Sequence, residues 1–323
     1  MRIDLTVAIC MYNAEAYIEK TLQSVIDQSF QQFHLLIIDD KSTDRSIAKV
    51  RRFLGDADYA YELIEFKENH GICFARNYAE RHTTTRYIMF LDADDMLYPD
   101  AIEKMYGKII SDPDLMAVGC YMEWIDNDEK KIGGGIYLGT KTKEEFFEKA
   151  SHNKLIFMQA TAIYDREIAL SVGGYDIDSF PKDSSIRYQD YCEDLDLWTR
   201  MSDLYVKGKA IIVLPEVLYK YRKAGGLSSN SYNMILKMRY VKKNLLRRRS
   251  GERNHTFEEF MNSLTDEEKN NIRRDAIAAD SLRNGVFYLR EHRLLKGIRE
   301  LFRSIQARPF YIIDKIRHNI LKR

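Results

Sequence analysis

The segment 87–91 is an apolar run of strand-forming residues, and three carboxylates follow it within four positions: Asp92, Asp94 and Asp95. An apolar run bounded by polar residues predicts a buried strand of a parallel sheet. Ligands of open α/β sheets bind beyond the carboxyl ends of such strands. Carboxylates this close repel one another unless a cation or hydrogen-bond donors offset their charge. The pattern therefore predicts a metal–phosphate site, and the other interpretation is a solvated acidic turn.

Strand-like segments and segments with helical spacing alternate around this run. The other apolar, β-branched runs lie at 5–10, 33–38, 61–66 and 115–122. This alternation predicts an α/β fold with a mostly parallel central sheet flanked by helices. The run at 33–38 also ends in acid, at Asp39 and Asp40. Because parallel strands bring both acidic clusters to one edge of the sheet, a ligand site is favoured over two chance turns.

Charge is distributed unevenly along the 323 residues, although the formal net charge is only +1. From Ser231 onward the sequence holds about 22 Lys and Arg against about 11 Asp and Glu. Helical spacing at 234–249, 272–291 and 294–307 predicts a basic helix followed by an antiparallel hairpin. A short amphipathic basic segment, 310–323, ends the chain. The sequence therefore predicts an acidic body with a basic helical tail.

Cysteine usage and hydropathy narrow the class of protein further. The four cysteines are widely separated and form no C-x-x-C pair, which argues against a zinc site or a disulfide framework and suits a reducing cytoplasm. The N-terminal segment has no secretory signal pattern. No apolar run reaches the roughly 18 residues that a membrane-spanning helix needs. We therefore expect a cytoplasmic protein, with peripheral attachment to the inner face of the plasma membrane as the only membrane association.

Short motifs occur in a defined order between residues 4 and 230. They lie at 10–14, 28–30, 38–44, 69–77, 90–95, 173–176, 193–198 and 221–222. Each motif alone is weak, but the ordered set resembles that of the inverting, family-2 type glycosyltransferases with the nucleotide-sugar-binding GT-A type fold. The resemblance implies a catalytic domain over residues 1–230. Residues 231–323 fall outside it and are expected to form a basic helical C-terminal extension.

The resemblance implies that the acidic strand ends bind a nucleotide-sugar donor, with a UDP-sugar as the expected class. Asp40 would accept a hydrogen bond from the base, a charge-assisted contact, and Tyr12 would lie alongside the base. Asp92 would face the ribose or the metal. Asp94 would bind Mn²⁺ or Mg²⁺ bridging the diphosphate oxygens. Arg76 would assist near the base or the phosphates.

Three further residues complete the expected donor site: Asn13 in the loop after the first strand, Trp198 beside the cleft, and Arg222. Many relatives carry a histidine shortly after the Tyr-Arg pair, and this chain has none. The resemblance leaves Arg222 or Lys223 to meet the phosphates, and residues 225–231 to close over them as a lid. The other interpretation of Arg222 is a surface salt bridge.

Inversion at the anomeric carbon requires an acceptor hydroxyl to attack opposite the leaving group while a base takes its proton. By resemblance, Asp194 is that base and Glu193 lies beside it, with Glu193 and Asp196 as other candidates. Desolvation in a closed cleft would raise the pKa of such a carboxylate, which suits a base. The other interpretation is a helix N-terminal acid pair favoured by the helix dipole.

The expected reaction is transfer of a hexosyl or N-acetylhexosaminyl unit to a hydroxyl of a growing surface glycan or lipid-linked saccharide. One alternative is a non-catalytic subunit that binds nucleotide sugar or serves assembly. A more remote alternative is an Asp-nucleophile phosphatase, which would carry its acidic motif on the first strand rather than on the fourth.

The basic tail admits two interpretations. It could bind an anionic leaflet as a peripheral anchor, where lipid-linked acceptors would lie. It could instead form a helical cap that packs on the protein, with its Lys and Arg solvated. Nucleic acid is not an expected partner, because the basic segments lack a recognised fold or interleaved stacking aromatics.

Overall fold

The computed structural model describes residues 3–136, 138–182, 184–223, 229–290 and 292–313. Strands and helices alternate through the first third of the chain, as the sequence predicts. They are β1 (Leu5–Met11), α1 (Ile18–Ile26), β2 (His34–Asp39), α2 (Ser46–Asp56), β3 (Glu62–Glu65), α3 (Ile72–His82) and β4 (Tyr87–Asp92). Every residue of β1 is buried, which agrees with its apolar, β-branched composition.

The first half of the sheet is parallel. β1 pairs with β2 on one side and with β4 on the other, and β2 pairs with β3. All four strands therefore run in one direction, and their carboxyl ends share one edge. The prediction of a parallel sheet with helical crossovers is confirmed for this half.

The second half of the sheet is mixed. Its elements are β5 (Met96–Leu97), α4 (Ala101–Ile110), β6 (Leu115–Ile125), β7 (Lys131–Ile136), α5 (Lys143–Ser151), β8 (Ile163–Asp165), α6 (Arg166–Ser171), α7 (Glu193–Met201) and β9 (Ala210–Arg222). β8 inserts antiparallel between β4 and β6, and β6 runs parallel to β9. Over the described residues the nine strands form one sheet in the order β3-β2-β1-β4-β8-β6-β9-β5, with β7 on β6.

Two predicted strands differ in length from those observed. The strand predicted over 157–164 is confined to β8, because the residues before it have no ladder partner in the described sheet. The strand predicted over 211–214 continues to Arg222 as β9, paired along β6. The longer β9 carries the 221–222 motif to the end of a sheet strand, beside β5.

Over the described residues the chain divides into two compact units. The first comprises Met1–Ser179, Cys192–Ala224 and Leu245–Glu252, and it contains the whole sheet. The second comprises Phe180–Tyr191, Gly225–Asn244 and Arg253–Arg323. The division of the chain at 230/231 into a catalytic domain and an extension stays a prediction.

The second unit is helical. Its helices are the first part of α8 (Ser231–Arg249), α9 (Phe257–Asn262), α10 (Asp266–Arg290) and α11 (Leu294–Ala307). Aromatic rings of Phe180, Tyr240, Phe257 and Phe260 pack on one another with centroids 5.5–6.1 Å apart. These rings supply the large apolar area that a small helical unit needs for a core.

The predicted hairpin is present as α10 and α11. The two helices approach closely at Gly285 and Gly297, where a Cβ on either glycine would lie 3.2 Å from the carbonyl oxygen of the other. The Ser304 hydroxyl donates to the Ala278 carbonyl at 2.8 Å across the same contact. Residues 314–323, most of the predicted amphipathic end, lie outside the described residues. Within the described ranges, none of the helices is both long enough and apolar enough to span a bilayer.

Candidate active site

The acidic strand ends meet at one edge of the sheet. In the parallel ladder Met11 of β1 lies opposite Asp39 of β2, and Cys10 of β1 lies opposite Asp92 of β4. The loop after β4 then carries Asp94 and Asp95. The expectation that both clusters share an edge is therefore confirmed by the register, and it follows from the parallel direction of the three strands.

Arg76 of α3 joins this edge to the acid pair at the start of α7. Its side chain is only 3% exposed. Nη2 donates to Asp92 Oδ1 at 2.6 Å, and Nη1 donates to Glu193 Oε1 at 2.5 Å. The guanidinium also lies over the rings of Phe90 and Tyr175, at 5.6 and 5.9 Å from their centroids. One buried cation therefore holds two segments that are distant in sequence.

The acid pair itself lies in the first turn of α7. Burial raises the pKa of Glu193 to about 8; Arg76 opposes this shift and the neighbouring Asp194 adds to it. Burial also raises the pKa of Asp194, again opposed by Arg76. The Leu195 amide donates to Asp194 Oδ1 at 2.7 Å. The two carboxyls therefore lie close together where solvent is largely excluded, which raises the pKa of each.

The residue before the pair has an unusual backbone. Cys192 precedes Glu193 with φ 51° and ψ 36°, in the left-handed region. A non-glycine residue in this region is strained by about 1 kcal/mol or more, and such strain gathers at functional sites. Cys192 gives α7 no side-chain cap, so the first turn relies on its own acids and on Arg76.

The loop after β4 holds one partly exposed and one fully buried carboxyl. Burial and the charge of Asp92 raise the pKa of Asp94 to about 6. Asp95 is buried completely; the Tyr219 hydroxyl donates to its Oδ2, and the Arg222 amide donates to its Oδ1 at 2.6 Å. Asp95 therefore anchors the loop to β9, while Asp94 remains available to a ligand.

Arg222 lies beneath the same loop and is 2% exposed. Its Nε donates to the Asp94 carbonyl at 2.8 Å, and its Nη1 donates to the carbonyls of Asp126 and Asn127 at 2.7 and 3.2 Å. The surface salt bridge that the sequence allowed is wrong, because the guanidinium is buried on backbone carbonyls. Its Nη2 is buried and finds no hydrogen-bond partner among the described residues, which leaves one donor for a ligand.

The carboxylate of Asp40 accepts hydrogen bonds from the loop before α3. Its buried carboxylate accepts from Asn69 Nδ2 at 2.9 Å, from the His70 amide at 2.7 Å and from the Gly71 amide at 2.8 Å. Gly71 has φ 94°, a conformation that suits glycine at the start of α3. These three donors all come from the chain, so the carboxylate of Asp40 fixes the loop before α3, and its contact with a nucleobase stays a prediction.

The neighbouring Asp39 was missed by the sequence reasoning. Its Oδ2 accepts from the Ser42 amide at 2.9 Å, but its buried Oδ1 has no partner among the described residues. A buried acceptor without a donor is costly and points to a missing partner. The Asp39-Asp40 pair marked this strand end in the sequence. Adjacent residues at a strand end face opposite sides, so the sequence pattern alone did not distinguish which carboxylate faces the ligand.

The two residues of the loop after β1 that were predicted to contact the donor, Tyr12 and Asn13, have different environments. Tyr12 is 51% exposed at the end of β1, as a ring that lies alongside a ligand would be. Asn13 adopts φ 50°, its amide donates to Ser42 Oγ at 2.9 Å, and its Oδ1 accepts from the Thr43 amide at 2.8 Å. Asn13 therefore ties its own loop to the turn after β2, and its predicted contact with the donor stays a prediction.

Trp198, predicted to lie beside the donor cleft, lies in the core instead. Its side chain is completely buried in the core, and its ring meets Tyr164 of β8 edge-on at 5.3 Å. Asp196, a fallback for the base, is paired with Arg200 at 3.1 Å. We therefore assign both residues to packing of α7. The predicted lid, 225–231, lies mostly outside the described residues, because 224–228 are not described.

The turn at 173–176 is fixed by buried polar groups. Glu80 of α3 accepts from the Tyr164 hydroxyl at 2.9 Å and from the Tyr175 amide at 3.0 Å. A Cβ on Gly174, which has φ 64°, would overlap the Glu80 carboxylate. Burial raises the pKa of Glu80 to about 6, while the two hydrogen bonds counteract that shift. Glu80 thus explains why glycine precedes Tyr175, a link that the sequence did not reveal.

The donor atoms of the strand-end site are all oxygens. In the part of the chain that the structure describes, no group of three or more His, Cys, Asp or Glu side chains is arranged to hold a metal alone. Asp92 and Asp94 supply two carboxylates, and burial together with the charge of Asp92 raises the pKa of Asp94. Such a pair fits Mg²⁺ or Mn²⁺, which take their remaining ligands from phosphate and water.

The family model for glycosyl transferase family 2 matches residues 6–172, more than half of the chain. The chain belongs to glycosyl transferase family 2. The match includes the strand ends of β2 and β4 but stops before Glu193, Asp194 and Arg222. The protein is thus a glycosyltransferase, which displaces the phosphatase alternative.

Two relatives of this glycosyltransferase show how far the likeness extends. An uncharacterized glycosyltransferase of Haemophilus influenzae is 28% identical over 240 residues, which cover 71% of this chain and 68% of the relative. The teichoic acid poly(glycerol phosphate) polymerase of Staphylococcus epidermidis is 40% identical over 113 residues, 35% of this chain and 16% of the polymerase. The chain thus matches only a small part of that polymerase.

Solved structures share the fold of this glycosyltransferase. Residues 1–349 of S. aureus TarS, in complex with UDP-GlcNAc, align with a TM-score of 0.58 and 18% identity, over 96% of this chain and 92% of that one. The mannosyltransferase PcManGT of Pyrobaculum calidifontis, in complex with GDP-Man and Mn²⁺, aligns with a TM-score of 0.52 and 20% identity, over 98% and 88%. The predicted GT-A type fold with a C-terminal helical region is confirmed.

Proposed function

We propose that this glycosyltransferase moves a sugar, with inversion, from a nucleoside diphosphate sugar to a hydroxyl of a cell-envelope glycan or lipid-linked saccharide. The observation that carries the proposal is the double contact of Arg76 with Asp92 and Glu193. It brings a candidate diphosphate site and a candidate base to one place. UDP-sugars are favoured as donors because TarS was solved with UDP-GlcNAc, and envelope acceptors are favoured because one relative is a teichoic acid polymerase.

On the donor side, we assign the contacts with the nucleobase to Asp39 and Tyr12. The unpartnered Asp39 Oδ1 would accept from a ring N–H of the base, and the exposed Tyr12 ring would lie against its face. Arg222 Nη2 is a candidate donor to a phosphate oxygen, since its other nitrogens already hold backbone carbonyls. Asp40 and Asn13 hold the loops on which these groups sit.

The proposed cofactor is a divalent cation, Mn²⁺ or Mg²⁺, held by Asp94 with Asp92. When bound, such an ion neutralises charge on the departing nucleoside diphosphate. PcManGT was solved with Mn²⁺, which supports this class of ion. Arg76 keeps one oxygen of Asp92 occupied and so orients the other.

On the acceptor side, Asp194 is the proposed general base. Its carboxylate takes the proton of the acceptor hydroxyl as the oxygen attacks the anomeric carbon opposite the nucleotide. The raised pKa of Asp194, caused by burial, suits proton uptake better than an ordinary aspartate would. Glu193, fixed on Arg76, holds the first turn of α7 in place.

The experiment has two stages. A thermal-shift screen of UDP-, GDP- and dTDP-sugars with Mn²⁺ or Mg²⁺ identifies the nucleotide that stabilises the protein. Release of that nucleotide is then measured with acceptor saccharides for the wild type, for Asp194→Asn and for the exposed control Asp56→Asn. We expect Asp194→Asn to keep donor stabilisation and to lose transfer by about a hundredfold to ten-thousandfold, the usual size of a base effect. Near-normal transfer by Asp194→Asn would reject the assigned base, and stabilisation by no nucleotide sugar would reject the donor class.

A further inference from the structure

Helix α11 presents an exposed apolar stripe. Leu294, Leu295, Ile298, Phe302 and Ile305 are 62%, 85%, 59%, 60% and 43% exposed. Their spacing places them along one side of the helix, and the opposite side, with Gly297 and Ser304, packs on α10. Five large apolar side chains grouped on one helix face are more than the scattered exposed residues of an ordinary surface.

A basic stripe runs next to the apolar one. Lys296, Arg299 and Arg303 recur at helical spacing and lie on the exposed side of α11. Within the described ranges Lys296 and Arg299 have no acidic partner, and Arg303 approaches Glu300 only at 4.0 Å. Most of the charge on this side of α11 is therefore free to meet an external anion.

Other basic residues of the tail are used internally. Arg248 and Arg249 both pair with Asp203, at 2.5 and 2.9 Å. Arg239 and Arg308 pair with Asp275 at 2.8 and 2.6 Å. These four arginines are thus engaged by carboxylates of the protein. The basic side chains of α11, beside the apolar stripe, are not engaged in this way within the described residues.

We propose that the exposed face of α11 binds the surface of an anionic lipid bilayer, with the apolar stripe inserted between headgroups and Lys296, Arg299 and Arg303 on lipid phosphates. An amphipathic helix with apolar residues on one side and basic residues beside them binds membranes in this way. In a symmetric dimer through this face, the basic stripes of the two chains would lie close together, and their like charges would repel. An anionic leaflet complements both stripes together. The proposal is independent of the donor and acceptor chemistry.

Vesicle sedimentation of the full chain tests the proposal. We expect binding to phosphatidylcholine vesicles that contain phosphatidylglycerol, and much weaker binding to phosphatidylcholine alone. Leu295→Ser with Phe302→Ser should abolish binding; both side chains are exposed, so folding should be unaffected. Lys296→Gln with Arg299→Gln should weaken binding about thirtyfold at low salt, as expected for two basic residues.

Matched control variants distinguish binding through this face from nonspecific adsorption to vesicles. Val206→Ser removes an apolar side chain that is 71% exposed on the first unit, and Lys67→Gln with Lys207→Gln removes two exposed charges there. Neither control should change binding. A tryptophan reporter, Leu295→Trp, should shift its emission to shorter wavelength with anionic vesicles, whereas Val206→Trp should not.

Three outcomes would overturn the proposal. The first is binding that is absent or insensitive to phosphatidylglycerol. The second is unchanged binding by Leu295→Ser with Phe302→Ser. The third is a dimer in light scattering that the same double variant converts to a monomer, since the face would then be an interface between copies. The rate of nucleotide release with a water-soluble acceptor should be the same in all α11 variants as in the wild type.

Discussion

Arg76 Nη1 and Glu193 Oε1 lie 2.5 Å apart, although 117 positions separate the two residues in the sequence. The same guanidinium donates to Asp92 at 2.6 Å, and its side chain is nearly removed from water. A planar guanidinium can hold two carboxylates at once, which an ammonium group does less well. The end of β4 and the start of α7 are therefore positioned by one cation.

Replacing Arg76 with Gln should damage both stability and transfer. Glu193, whose side chain is 12% exposed, and the partly exposed Asp92 would both lose their counter-ion, and removing one partner of a buried pair costs about 3–5 kcal/mol. Urea denaturation measures the loss, and nucleotide release measures the transfer. The matched control is Arg51→Gln, which breaks an exposed pair with Glu65 and should cost less than about 1 kcal/mol. Equal unfolding midpoints for Arg76→Gln and wild type would contradict this role.

Variants of Asp39 and Asp40 should separate a ligand contact from a structural one. Asp40→Asn replaces an acceptor of three hydrogen bonds by a group with only one acceptor oxygen, and it should lower stability by about 1–3 kcal/mol. Asp39→Asn should leave the melting temperature nearly unchanged and weaken donor binding about tenfold or more, because a charge-assisted bond to the base is lost. Melting curves and nucleotide titrations measure the two effects. The reverse pattern would return the base contact to Asp40.

Asp94 should make metal binding sensitive to pH. Burial and Asp92 raise the pKa of Asp94 to about 6, and a metal ligand must give up its proton. Protons therefore compete with the ion below that value. Affinity for Mn²⁺, measured by titration calorimetry, should fall about fourfold between about pH 7.5 and pH 5.5, and Asp94→Asn should abolish both the binding and the pH effect. Affinity for Mn²⁺ that does not change over this range would argue against Asp94 as a ligand.

The sequence predicts the parallel half of the fold well because its signals are local. An apolar run marks each buried strand, and the acids at 39–40 and 92–95 mark the carboxyl edge. The antiparallel insertion of β8 between β4 and β6 was not predicted, since the pairing of a three-residue strand depends on neighbours distant in sequence. The environments of single side chains could not be predicted from the sequence for the same reason. Arg222 resembled a phosphate ligand or a surface pair, and only the folded chain brings the carbonyls of residues 94, 126 and 127 to its guanidinium.

The stability of the fold should depend on Glu80 in a defined pH window. Burial raises the pKa of Glu80 from 4.5 to about 6, so the folded state holds a proton that the unfolded state has released between those values. The stabilisation is fully present below pH 4.5 and is lost as pH rises through about 6, a loss of about 2 kcal/mol. Glu80→Gln should remove this pH dependence in urea denaturation, whereas the exposed control Glu68→Gln should keep it. An unchanged slope in Glu80→Gln would assign the titration to another group.

The pH dependence of transfer should report the acid pair of α7. A general base must be ionised, and burial raises the pKa values of both Asp194 and Glu193 above those of ordinary carboxyls. The rate at low donor concentration should therefore fall as pH decreases, beginning above the ordinary aspartate value of 3.8, by about tenfold per pH unit. The charge of Arg76 opposes both pKa shifts. Weakening its contact with the acid pair in Arg76→Lys should therefore move the fall in rate to higher pH. Initial rates should be measured with saturating Mn²⁺, so that the titration of Asp94 does not contribute to the pH profile. A fall in rate that begins only at the ordinary aspartate pKa would show that Asp194 is not enclosed as the structure indicates.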